Sequence, residues 1–474
     1  MDLLRDAGAE NESLESTVKE PPVRKTLIFT IVAIALLMTT VDATIVATAL
    51  HTLQTELHTT VNWVGWTLTA YAFGFVLMLP ISGKISELYG QRRVFLWSVA
   101  IFTFVSLCCG LSNNIYLLIS LRVIQAIGGA GITPSATGII VNHFGKSRDR
   151  AVSLFGSVFP VGAMIGPIFG GIFVTYMSWR EIFFVNIPLG IVVILMAFKY
   201  IPRDHQPKKR PHTKPDGKGI LLMGVGILSF MFAASYLGGK NVKLLSPGLI
   251  TLLLISVISL TGFFRHINRT IHPIITPRLI YGKGFGPVNL INVLSGGITQ
   301  GVIGLVPLYA INRYCVTALD SGLLLVAEGI AAIVFSVIVT ILLRRTGYRP
   351  PLYVGCTIIS IGVILLAIHP FDGLSPFFWM AMSTFFIGAG AGIINPPCRN
   401  AGLQLAPEHS STIAALRSMS LQVGAIITIA IATAIISESS NPGITQAWVY
   451  IGAAVIYFSA LPLISKIPEH HGSW

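Results

Sequence analysis

The chain has 474 residues, of which 53% are hydrophobic and 11% charged, with a formal net charge of +13 and a mean hydropathy of +0.76. A soluble domain carries about 25% charged residues, so the composition excludes a soluble enzyme and a soluble nucleic-acid binder, and repeated apolar runs of about twenty residues describe a polytopic membrane protein. The basic balance reports orientation: of the 32 Lys and Arg, only Arg180, Lys240, Lys243 and Arg313 fall in loops on one side, while Arg122 and Arg417 lie within or at the edge of helices. The rest gather on the other side, which the positive-inside rule makes the cytoplasm.

In chain order, residues 1–26 form an acidic tail with Asp2, Asp6, Glu10, Glu12, Glu15 and Glu20 and no cleavable leader pattern, so it is expected to stay in the cytoplasm. Apolar spans follow near 27–50, 61–82, 94–111, 115–141, 151–176, 182–201, 219–238, 247–264, 285–310, 321–343, 351–368, 376–397, 411–436 and 446–465. These predict about fourteen transmembrane helices in an all-α protein. They divide into a six-helix bundle over 27–201, a basic linker with two inserted helices over 202–283, a second six-helix bundle over 284–466, and a cytoplasmic tail over 467–474. The linker Pro202-Arg203-Asp204-His205-Gln206-Pro207-Lys208-Lys209-Arg210-Pro211 is too polar to span and reads as a topology anchor facing anionic lipid headgroups.

A faint duplication supports two equivalent bundles. Leu68-Thr69-Ala70-Tyr71 repeats as Leu325-Val326-Ala327-Glu328, and Gly90-Gln91-Arg92 as Gly347-Tyr348-Arg349 at the same spacing. A few residues farther apart, Gly129-Ala130-Gly131-Ile132 repeats as Gly390-Ala391-Gly392-Ile393 and Val161-Gly162-Ala163 as Val423-Gly424-Ala425. Parallel repeats of this kind enclose a site near the bilayer midplane.

Five ionisable or small-residue features carry the functional expectation. Asp42 lies inside the first span, where a charge costs about 2.5–3.5 kcal/mol on insertion scales, so it is either functional or held in a pair that braces the helices. Arg122 lies in the fourth span with Gln125 one turn away and competes with a snorkelling reading; Glu328 lies in the tenth, set evenly between proton or substrate binding and structural pairing. The loop Gly83-Lys84-Ile85-Ser86-Glu87-Leu88-Tyr89-Gly90-Gln91-Arg92-Arg93 combines two turn-permitting glycines, an acid able to oppose a helix N-terminus, and the basic Arg92. In the fifth span, Gly162, Gly166, Pro167, Gly170 and Gly171 form a small-residue ridge that lets another helix backbone approach. Trp63, Trp66 and Tyr71 offer aromatic faces to a cation, although packing or an interfacial belt is the plainer reading of the two Trp. The five cysteines show no disulfide or ligand spacing, and no Walker A, HExxH, nucleophile-elbow or zinc pattern is present; no metal, cofactor or enzyme activity is expected.

Several of these stretches resemble the major facilitator superfamily, and its fourteen-helix drug:proton antiporters in particular. Gly162-x-x-x-Gly166-Pro167-x-x-Gly170-Gly171 matches the fifth-helix antiporter signature; Thr39 to Val46 resembles the first-helix motif, with Ala47 in place of the usual Asn. The Gly83–Arg93 loop resembles the cytoplasmic signature, with Glu87 for the usual Asp and Gln91 where a basic residue is common. Arg122-x-x-Gln125 resembles the fourth-helix motif with Ala126 for Gly, and Trp179 to Gly190 the opening of the sixth helix, with Glu181 where an aromatic is usual. The resemblance implies the major facilitator fold and a proton-coupled exporter of small amphipathic, cationic or lipophilic drugs or biocides in the cell membrane, with protons, substrate and lipids as partners, and a monomer. It casts Asp42, Arg122 and Glu328 as the proton-coupling residues, Tyr71, Gln125 and Gln300 as cavity residues, and Gly83, Glu87, Gly90, Arg92 and the glycine ridge as conformational elements. On this reading Asp42 borders a water-accessible passage, and Asp42→Asn folds normally while losing pH-driven exchange. Export or flipping of a metabolite or lipid, and a transport-inactive receptor or scaffold, remain open from the sequence.

Overall fold

The computed structural model describes residues 24–59, 61–204, 216–237, 246–271, 273–316, 318–437 and 439–470. Most of the acidic tail, the Pro-rich linker beyond Asp204, and Lys240 and Lys243 lie outside the described residues.

Among the described residues fourteen long helices follow one another: α1 (Lys25–Ile45), α2 (Val61–Tyr89), α3 (Gln91–Gly110), α4 (Ile115–Phe144), α5 (Val158–Tyr176), α6 (Asn186–Tyr200), α7 (Gly217–Leu237), α8 (Pro247–Ile267), α9 (Phe285–Gly296), α10 (Ala318–Thr346), α11 (Arg349–Ala367), α12 (Pro376–Leu405), α13 (Ser410–Ser437) and α14 (Pro442–Ser459). Each overlaps one of the apolar spans read from the sequence. Their starts follow from local chemistry. The Asn114 side chain accepts from the Tyr116 and Leu117 amides at the head of α4. Ser246-Pro247, Ser375-Pro376 and Asn441-Pro442 open α8, α12 and α14 with a capping side chain followed by a residue that needs no amide partner. Interior prolines at Pro80, Pro134, Pro167, Pro396 and Pro397 are carried within continuous helices, as membrane helices permit.

Among the described residues twelve stretches are long and apolar enough to cross a membrane, and Phe285–Val302 with Val306–Tyr314 forms a thirteenth if the pair, bent by 44°, is one span. The bend follows a π-helical turn over Gly297–Val302 that places Gln300 at the surface. One of the twelve, Ile115–Tyr176, runs for 62 residues, about 93 Å at helical rise against a bilayer core of about 30 Å. It is interrupted at Gly145, whose φ of 50° lies in the left-handed region.

Four hydrophobic clusters form among the described residues, two of them large. The larger gathers side chains from α1–α8 and reaches α13 through Ile413 and Leu416; the second is built from α9–α14. Helices α7 and α8 pack on each other, with Ser256 Oγ donating to the Gly226 carbonyl at 2.9 Å, and rest against α2 through Phe232, which contacts Trp66 and Phe73. The glycine ridge of α5 lies along α1: a Cβ on Gly162, Gly166 or Gly170 would strike Thr40, Thr44 or Thr48. The second half repeats the arrangement, since Gly424 of α13 meets the Val293 backbone of α9. Gly171 has open space beside it and takes no part in the contact.

Candidate functional site

An acid in α1 is tolerable only where its charge is answered, and α4 supplies the answer. Arg122 and Gln125, three residues apart, share one face of that helix. Arg122 Nη1 donates to Asp42 Oδ2 at 2.6 Å and to Gln125 Oε1 at 2.7 Å, while Gln125 Nε2 donates to Asp42 Oδ1 at 3.1 Å. From α6, Asn186 Nδ2 donates to Asp42 Oδ1 at 3.0 Å and to Ser106 Oγ of α3 at 3.1 Å; Ser106 in turn donates to the Phe183 carbonyl. From α2, the Thr67 carbonyl accepts from Arg122 Nε at 3.5 Å, and the guanidinium lies 4.1 Å from the centre of the Tyr71 ring. The network ties five helices of the first half together.

Asp42 is 1% exposed and Arg122 and Gln125 are fully buried. Asp42 therefore does not border an open passage in this conformation, contrary to the sequence-based expectation, because the Arg122 fork and two amides enclose both carboxylate oxygens. Tyr71 and Gln125, expected along a cavity, stand inside this network. Beside it, Arg122 Nη2 and Tyr71 Oη lack partners among the described residues. They mark the one edge where a further donor or acceptor would be satisfied. The same geometry revises the expected behaviour of Asp42→Asn: loss of one charge from a buried pair strands the other, so folding is not expected to be indifferent.

Glu328 presents the opposite case. It is half-buried on α10, and no hydrogen bond or ion pair to it forms among the described residues. At about 100° per residue, it lies nearly opposite the exposed stripe Leu323, Ile330, Val334 and Ile341. Its backbone touches Gly388 of α12, and neighbouring Gly329 faces Met164 and Pro160 of α5. The carboxylate is thus turned from the lipid face towards the gap between the halves. Gln300 is exposed on the π-helical turn and has no side-chain partner among the described residues.

The halves meet at the end carrying the basic loops. Glu87 Oε1 accepts from the Thr412 amide at 3.1 Å and Oε2 from His409 Nδ1 at 3.1 Å, placing an acid from α2 on the N-terminus of α13, where the helix dipole favours it. Gly83 allows the approach: a Cβ there would come within 2.8 Å of Ala415. Ser86 donates to Ser411 at 3.3 Å; Gln404 Nε2 donates to Asp149 Oδ2 at 2.9 Å; Asn400 Nδ2 donates to Ser153 Oγ at 2.8 Å. At mid-height Ser157 and Ser336 share a hydrogen bond of 2.9 Å. Arg92 acts within the first half: its Nη2 donates to the Phe198 carbonyl, and its amide is capped by Asp204, which also fills the space beside Gly90 at φ 97°.

Comparison with known proteins settles what this architecture is. The family model described as Major Facilitator Superfamily matches residues 32–429 and 288–472. The chain belongs to this superfamily. It is 30% identical over 379 residues to "Multidrug transporter protein MdtP" of Bacillus subtilis, covering 79% of this chain and 68% of that one. To the "Multidrug resistance protein B homolog" of Mycobacterium tuberculosis it is 29% identical, covering 86% and 75%. The "Methylenomycin A resistance protein" of Streptomyces coelicolor aligns at 24% identity over 100% of this chain and 99% of that one. Among solved structures, the human organic anion transporter MFSD10 has a TM-score of 0.66 at 13% identity, covering 94% of this chain and 100% of that chain. The proton:xylose symporter XylE has a TM-score of 0.65 at 14% identity, covering 95% and 97%; both show the fold.

For a facilitator, the additional residues that the structure draws in are instructive. Asn186, in the stretch that opens the sixth helix and given no role by the sequence, is 2% exposed and bonded to Asp42; a lone amide inside an apolar span was the available signal. Its neighbours do sit at a polar rim, where Arg180 Nη2 donates to Asn113 Oδ1 at 2.6 Å and Trp179 Nε1 to Glu56 Oε2 at 2.8 Å. Ser106, one of three hydroxyl side chains in α3 with Ser98 and Thr103, gave no signal. Arg399 and Arg417 line one cavity between the halves, although no spacing in the sequence relates them.

Proposed function

We propose that this facilitator is a proton-coupled antiporter that exports small amphipathic compounds, with cationic drugs or biocides as the substrate class, by alternating access. The relatives named as multidrug transporters support the drug-export reading, and the two embedded acids support proton coupling. The proposed topology has fourteen crossings, counting the 62-residue run as two, arranged as six, two inserted and six, with both termini in the cytoplasm and the chain in the cell membrane. The seam closed by Glu87, Ser86 and Asp149 then lies on the cytoplasmic side, and the conformation is open outward.

The observation that carries the mechanism is the unequal state of the two acids: Asp42 is clamped by Arg122, whereas Glu328 faces the inter-half gap without a partner among the described residues. Glu328 is the acid that meets the proton or the cationic cargo from outside. Asp42 acts through Arg122: protonation at Asp42 frees the guanidinium, and the orphaned Arg122 Nη2 and Tyr71 Oη mark where water enters as the first half rearranges. Coupling follows because the ion pair and the open seam cannot both be at their best in one conformation.

The test is a proteoliposome counterflow assay with a pH-sensitive dye trapped inside, run with cationic dyes, biocides and neutral drugs. Substrate-dependent proton movement is expected for the parent protein. Glu328→Gln, which breaks no hydrogen bond or ion pair among the described residues, is expected to lose it. Normal proton-coupled exchange by Glu328→Gln removes Glu328 from the mechanism, and exchange without proton movement removes proton coupling altogether.

A further inference from the structure

Among the described residues, the cavity between the halves near the closed seam is lined by two arginines and no acid. Arg399 of α12 is 6% exposed and its guanidinium makes no hydrogen bond among the described residues; it rests near the rings of Phe155 and Phe159 at 5.6 and 5.5 Å. Among the described residues Arg417 of α13 donates once, from Nη2 to Asn395 Oδ1 at 2.8 Å, and its Nε has no partner. The Asn292 amide oxygen, in a side chain 1% exposed, has no partner among the described residues either, and Thr133, Thr137 and Cys398 also line the cavity. The nearby acids are engaged elsewhere: Glu87 by His409 and Thr412, Asp149 by Gln404 and Arg148.

A buried guanidinium (Arg399) and a half-buried one (Arg417) facing one cavity repel each other, and an uncompensated charge away from water is costly unless a counter-charge is present. Aromatic faces offset only part of that cost. The free volume is about 20 Å³, room for one or two water-sized bodies and too small for an organic anion. We propose that Arg399 and Arg417 hold a small inorganic anion of chloride size in this cavity, as the counter-charge that lets the two halves close at this end. Arg399 reaches across the seam, since a Cβ on Gly156 would lie 2.9 Å from its Nε; opening the seam therefore pulls one half of the wall from the anion.

Cys398 gives the readout. It lines the cavity, is 3% exposed, and becomes reactive only as the seam opens. With purified full-length protein, alkylation of Cys398 by N-ethylmaleimide is followed by peptide mass spectrometry in chloride and in gluconate at one ionic strength. The rate is expected to fall several-fold with rising chloride, in proportion to 1 + [chloride]/Kd, with bromide acting alike and gluconate without effect. Arg399→Gln and Arg417→Gln each flatten that dependence, and Arg399→Lys keeps a weaker one. Equal rates in chloride and gluconate overturn the proposal on the unmodified protein alone; undiminished chloride protection in the folded Gln variants overturns the assignment to these two arginines.

Discussion

Replacing Asp42 by Asn isolates the energetic centre of the first half. The amide keeps an oxygen for Gln125 Nε2 and Asn186 Nδ2, now at 3.1 and 3.0 Å, so the change removes mainly the charge facing Arg122 Nη1 at 2.6 Å. Arg122 is fully buried, and stranding one member of a buried pair costs about 3–5 kcal/mol. At about 2–4 °C per kcal/mol for a body the size of one bundle, Tm should fall by roughly 6–20 °C. The combined Asp42→Asn, Arg122→Gln variant removes both charges and should recover most of that loss, because a buried pair is often worth little net of its desolvation. Intrinsic fluorescence during thermal unfolding in detergent measures both variants. A single variant as stable as the parent, or a double variant whose loss is the sum of the two singles, refutes the pairing as an energetic unit.

Other outcomes follow from the same geometry. Glu87→Gln keeps an acceptor for the Thr412 amide but removes the charge from the start of α13, weakening the closed seam by about 1 kcal/mol; disulfide cross-linking of a Ser86→Cys, Ser411→Cys pair should slow by roughly fivefold. Gly424→Ala drives a methyl into the Val293 and Gly297 backbones and should cost about 1–3 kcal/mol, whereas Gly171→Ala, with open space around it, should be neutral or gain up to about 1 kcal/mol; thermal unfolding distinguishes them. At the head of α7, burial pushes the Asp216 carboxyl up, but the Gly219 and Ile274 amides and the His266 ring outweigh it and hold its pKa below the ordinary value. Its stabilisation is therefore present above the unfolded carboxylate range and lost as pH falls through the lowered folded value. An acid titration of Tm should show a shallower fall for Asp216→Asn than for the parent.

What the sequence alone determined is the set of helices and which of their residues are chemically conspicuous. A bilayer imposes about twenty apolar residues per crossing, so hydropathy locates α1–α14, and a charge within such a run announces itself as Asp42, Arg122 or Glu328. Partnership was decided only in three dimensions. Nothing in residue spacing says that Asn186 and Ser106 close around Asp42, that the α5 glycines serve α1, or that Arg399 and Arg417 share a cavity, because these contacts join helices far apart in the chain. The sealing of Asp42 and the lack of a partner for Glu328 among the described residues likewise depend on which helix faces fill the space beside each acid, and a one-dimensional hydropathy pattern records the cost of a buried charge without recording what answers it.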